Sequence, residues 1–88
     1  MPSKRRDHYE NVNAIRRVLV DQWNPIGVNV PDDEYDGYIP TIYRMMQELA
    51  GVEKLADHLG KLEWISMGLS PTPDLNRRVA QLLVAILD

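Results

Sequence analysis

Apolar residues recur every three or four positions along most of the chain, so amphipathic helices are the elements the pattern predicts. Tyr9, Val12, Ile15, Val18, Leu19 and Trp23 share one face and predict a first helix over residues 7–22. Ile39, Ile42, Met45, Met46 and Leu49 predict a second over 38–50, with Pro40 in its first turn and Asp36 near its positive end. Gly51 is placed to close that helix in the left-handed conformation. Val52, Leu55, Ala56, Leu59, Leu62 and Ser66 predict the inner face of a third helix over 52–67, capped by Gly68 with Leu69 folded back. Gly60 interrupts this third pattern at a cost of about 1 kcal/mol relative to alanine, which predicts a close backbone neighbour or a bend. Thr72, Pro73 and Asp74 read as an N-cap, a first-turn proline and an acidic first turn. The fourth helix then runs from residue 73 to near the end, with Leu75, Val79, Leu82, Leu83 and Ile86 as its stripe and Asn76, Arg77, Arg78 and Gln81 on the other side.

Between the first two helices the chain reads WNPIGVNVP. Pro25 drives Asn24 out of the helical region, and Ile26, Val28 and Val30 alternate with Gly27 and Asn29. Nothing else in the sequence offers a partner strand, so an extended connector laid over the core is expected. The fold class that follows is all-α: a compact antiparallel bundle of four helices, one domain over residues 7–88, preceded by a flexible basic segment at 1–6.

Length narrows the chemistry. A chain of 88 residues buries only about 60% of its unfolded surface, which leaves little room for an enclosed active site. Cysteine is absent, which removes disulfides, thiolate metal sites and thiol catalysis. The basic start lacks a following apolar run, and no stretch reaches the roughly 18 apolar residues of a membrane span. A cytoplasmic protein with no membrane association is therefore expected.

The net charge of −3 is unevenly spread. Five cations against three acids make residues 1–23 positive by two, seven acids against two cations make 24–60 negative by five, and the remainder balances. An acidic middle repels phosphate, so no nucleic-acid partner is expected. The second and third helices have the short link of a helix-turn-helix. The outer side of the second of them, read as Glu53, Lys54, Asp57, His58, Lys61 and Glu63, carries a net negative charge unsuited to a major groove.

The densest polar feature is PDDEYDGYI. With Asp32 as position 1 of a calcium loop, Glu34, Asp36 and Gly37 fall in register, but position 12 is Tyr43 and position 9 is Pro40, so the pattern fails. The same stretch supplies the candidate interaction surface, Asp32, Asp33, Glu34, Tyr35, Asp36, Tyr38 and Tyr43, although in a chain without phenylalanine these rings are also the natural core volume. His8 and His58 stand beside Asp7 and Asp57, and His58 reads as a solvated residue on the polar side of its helix. No serine lies in a GxSxG elbow. No catalytic residue and no cofactor is expected.

The ordered elements WNPIGV, DEYDGYIP, LADHL and MGL make the chain resemble a family of small stand-alone bacterial helical domains of unknown function, over roughly residues 15–87. That resemblance implies a helical fold and a bacterial cytoplasmic setting, and it implies no catalytic residue, cofactor or substrate. The function expected is a non-enzymatic interaction domain with a protein partner or a second copy of itself. The alternatives are a metal or small-ligand site on residues 32–36 and an immunity or inhibitor protein that covers a basic partner.

Overall fold

Two of the four helices do not stop where their α-helical hydrogen bonds stop. The computed structural model describes residues 8–87, and the expected flexible segment at 1–6 lies outside them. Helix α1 (His8–Arg17) runs without a break into a π-helical turn, Val18–Trp23, and α3 (Val52–Lys61) runs into a second, Leu62–Ser66. A 3₁₀ turn, Asp36–Tyr38, leads into α2 (Ile39–Gln47), and α4 (Pro73–Ile86) is uninterrupted. Among the described residues there is no strand. The fold is the expected all-α bundle of four helices.

Asn24 ends the first π-turn in the left-handed region, at φ 31°, and its N–H reaches the Leu19 carbonyl at 2.8 Å. Asparagine tolerates that conformation better than other non-glycine residues. The end of α2 corrects the expected Gly51 cap. Leu49 is the left-handed residue, at φ 57°, with bonds Leu49 N–H to Met46 O and Ala50 N–H to Met45 O. These two bonds define a Schellman closure with leucine where glycine is the usual occupant.

Helix α3 packs most extensively along α4, the first π-turn also lies on α4, and α1 rests on both α2 and α4. Asn76 and Arg77, adjacent on α4, reach Glu63 of the second π-turn and Glu53 of α3 respectively. Ile15, Leu19, Trp23, Tyr35, Ile39, Ile42, Met46, Leu55, Leu59, Val79 and Leu83 form the centre of the core.

Other sequence expectations change too, and Tyr9, expected on the inner face of α1, is exposed. The buried arc of α4 is Asn76, Val79, Ala80 and Leu83, rotated from the expected stripe so that Leu75 and Ile86 flank it and Leu82 is exposed. Ser66 is exposed rather than inward, because the π-turn before it shifts the helical register. In the connector only Val30 packs on the core, while Ile26 and Val28 face solvent. Tyr35 takes the place expected for them: its ring lies 5.4 Å from that of Trp23, and its hydroxyl donates to Asn24 Oδ1 at 2.7 Å.

Candidate functional site

The chemistry-bearing side chains sort into a buried polar cluster, an acidic surface and an apolar groove. The cluster sits where α3, its π-turn and α4 meet. Glu63 is 1% exposed, and all its partners donate to it. Asn76 Nδ2 and the Thr72 N–H reach Oε1 at 2.6 and 3.1 Å, and the Thr72 hydroxyl reaches Oε2 at 2.8 Å. Asn76 Oδ1 accepts the Trp23 indole N–H at 2.9 Å, so the chain joins both π-turns through α4. A buried carboxylate is costly unless hydrogen-bonded, and here both oxygens are. Glu63 is thus not on the outer side of α3, and Asn76 is not on the polar side of α4. Thr72 stands at the N-cap of α4 as expected, yet its hydroxyl serves Glu63 and makes no cap bond.

The candidate residues of the acidic stretch part company. Tyr35 and Tyr43 are buried. Burial pushes the Tyr35 hydroxyl above its ordinary pKa, and the Tyr43 hydroxyl accepts from Asn11 Nδ2 at 2.8 Å while its ring stacks on His8. Asp36 is held by Arg16 through two parallel bonds of 2.9 Å, and the hydrogen bond from that guanidinium lowers the Asp36 carboxyl below the usual range. Asp32 pairs with Arg17 at 2.9 Å, in an exposed bridge. Asp33 and Glu34 are exposed, and Tyr38 is half-buried. Among the described residues no group of three or more His, Asp or Glu side chains is placed to hold a metal ion.

Glu34 and Tyr38 border an open cleft of about 440 Å³, completed by Ile26, Tyr35, Ser66, Met67 and Leu69. On the other side of the second π-turn lies a groove, also about 440 Å³, between α3 and α4, with Ala56, Gly60, Trp64, Pro71 and Pro73 among its walls. Trp64 is 64% exposed. A Cβ added at Gly60 would stand 3.6 Å from Asn76 Nδ2 and 3.8 Å from Pro71 Cβ, ordinary contact distances. The glycine therefore keeps the groove floor low and accommodates no crowding backbone.

His58 corrects the expectation of a solvated imidazole. It is half-buried, its Nε2 is enclosed without a hydrogen-bond partner, and its pKa is lowered by burial and by Lys61, against the opposing pull of Asp57.

Glu63, Asn76 and Trp64 are the residues that sequence reasoning misplaced or passed over. Glu63 lies four residues after Leu59 and eight after Leu55, and Asn76 three before Val79 and seven before Leu83, so both spacings put a polar residue on an apolar arc. That signal was present. Trp64 had none, since its outward direction depends on the π-turn. Comparison with protein-family models, with curated proteins and with solved structures finds no match for this chain. No helix of the described residues is long and apolar enough to cross a membrane.

Proposed function

We propose that the chain is a small non-enzymatic protein-interaction domain that receives a basic partner on its acidic connector. The observation that carries this reading is exposed Glu34 on the cleft walled by Ile26, Tyr38, Met67 and Leu69, with the exposed carboxylates of Asp32 and Asp33 immediately before it in the chain. A lysine or arginine side chain suits such a place, its methylenes on the apolar wall and its charged head at Glu34. An inhibitor or immunity protein would use the same surface with more contacts.

Titration of the isotopically labelled protein with a short lysine-rich peptide tests this by chemical-shift mapping. Shifts should concentrate at Ile26, Glu34, Tyr38 and Leu69, weaken with added salt, and vanish in the triple variant Asp32→Asn, Asp33→Asn, Glu34→Gln. Shifts absent at those residues, or unchanged in the variant, would exclude the reading.

A further inference from the structure

The cleft beside Glu34 has one wall that comes from far along the chain. Ser66, Met67 and Leu69 supply it, and all three lie between Glu63 and Thr72. That stretch is closed on itself at Glu63, through backbone and side chain together. The Leu69 N–H reaches the Glu63 carbonyl at 2.7 Å, after Gly68 turns the chain at φ 70°. The Thr72 N–H and hydroxyl reach the two carboxylate oxygens at 3.1 and 2.8 Å, and Asn76 of α4 adds a third donor at 2.6 Å. The Met67 N–H bonds the Leu62 carbonyl, five residues back, at 3.1 Å, so the π-turn sets Met67 over Leu62 where an α-helix would set Ser66. Met67 accordingly packs on the core and Ser66 is exposed. Among the described residues no ion pair or side-chain hydrogen bond reaches residues 64–71, so beyond apolar packing the stretch is held at its ends.

We propose that Glu63 is the positioning residue of this cleft: it clasps the stretch 64–72 and so fixes Ser66, Met67 and Leu69 as the wall that a partner's basic side chain meets. This rests on the reading of the cleft as the partner's site. Glu63 is 1% exposed and lines no part of the cleft, so it acts through the wall and touches nothing that binds there. Its carboxylate is enclosed by its own donors, and what it contributes is the bonds rather than the charge. A wall fixed before the partner arrives spares the ordering that binding would otherwise cost.

The test titrates the full chain and its variants with the same lysine-rich peptide, following amide chemical shifts. Glu63→Ala opens the clasp. A wall in place one tenth of the time weakens the apparent affinity about tenfold, which is the loss expected. In the unbound variant the Ser66, Met67 and Leu69 signals should move and the Leu69 and Thr72 amides should exchange faster with solvent, while the signals of α2 stay in place. Glu63→Gln removes the charge and keeps the bonds, so it should restore wild-type binding and shifts. Leu83→Ala opens a cavity farther along α4, destabilising the fold without touching the clasp, and should leave the affinity unchanged. Should Glu63→Ala fail to fold, Thr72→Val deletes the bond to Oε2 and takes its place, with a smaller loss in the same direction. Wild-type affinity in Glu63→Ala, or equal weakening in Glu63→Gln or Leu83→Ala, overturns the proposal. A wild type that does not bind the peptide overturns the reading of the cleft instead. The clasp is then judged on the unbound proteins, where unchanged exchange at Leu69 and Thr72 in Glu63→Ala refutes it.

Discussion

The described residues hold two π-turns, each bearing one tryptophan, and the two indoles have opposite fates. Trp23 is 2% exposed, packed against Tyr35 and bonded to Asn76, whereas Trp64 is 64% exposed with its ring at a groove mouth. Both turns widen the helix by one residue per turn, so the π geometry alone does not decide direction. The neighbours decide it. Trp23 stands four residues after Leu19 and stays on the buried arc, while in the second turn Glu63 takes the inward position and Trp64, the next residue, is turned out. A polar residue holds the interior place, and an apolar one is left in solvent.

The sharpest way to break this contrast is Trp23→Ala, which empties a core site and strands the Asn76 carbonyl. The expected loss is about 3–5 kcal/mol by urea unfolding, near the whole stability of a domain this small. Glu63→Ala comes next. It leaves the Asn76 amide and both Thr72 donors without an acceptor, at an expected cost of about 2–3 kcal/mol. Glu63→Gln should cost no more than about 1 kcal/mol, because one oxygen still serves Asn76 and the Thr72 N–H while the amide donates to the Thr72 hydroxyl. Equal losses for the two substitutions would refute the bonding pattern assigned to Glu63.

Smaller effects sharpen the picture at the edges. Leu49→Gly should raise stability by about 1 kcal/mol, since glycine adopts φ 57° without the clash leucine bears, and Leu49 is 87% exposed with little packing to lose. His58 supplies a pH dependence. Its folded pKa lies below the ordinary value of about 6.5, so the unfolded chain binds its proton first as pH falls. Its contribution is complete above about pH 6.5 and declines below it, toward the lower folded pKa. Melting temperature against pH should show that slope in the wild type and lose it in His58→Gln. Asp36, whose folded pKa is depressed by Arg16, contributes at pH above the ordinary carboxylate range and is lost in more acidic solution, separately from His58.

Helix number, order and most of the inner faces of the first three helices could be read from apolar spacing, because burial of one stripe per helix follows from periodicity alone. What could not be read follows from three local events. The π-turn at Leu62–Ser66 rotates Ser66 outward and frees Trp64, and no residue preference announces such a turn. Leucine spacing in α4 points to a stripe through Leu75 and Leu82, although small Ala80 and polar Asn76 occupy its buried centre, where α3 lies close. Tyr35 and Tyr43 entered the core because no phenylalanine competes for that volume, which leaves Asp33 and Glu34, with Asp32 in an exposed pair, as the accessible part of the acidic stretch.

Urea unfolding of Trp64→Ala beside Trp23→Ala tests the division between the two indoles most directly. Trp64→Ala should keep its midpoint within about 0.5 kcal/mol of the wild type, as an exposed substitution does, while Trp23→Ala loses several. Comparable losses in both proteins would contradict the assignment of one tryptophan to the core and the other to the surface.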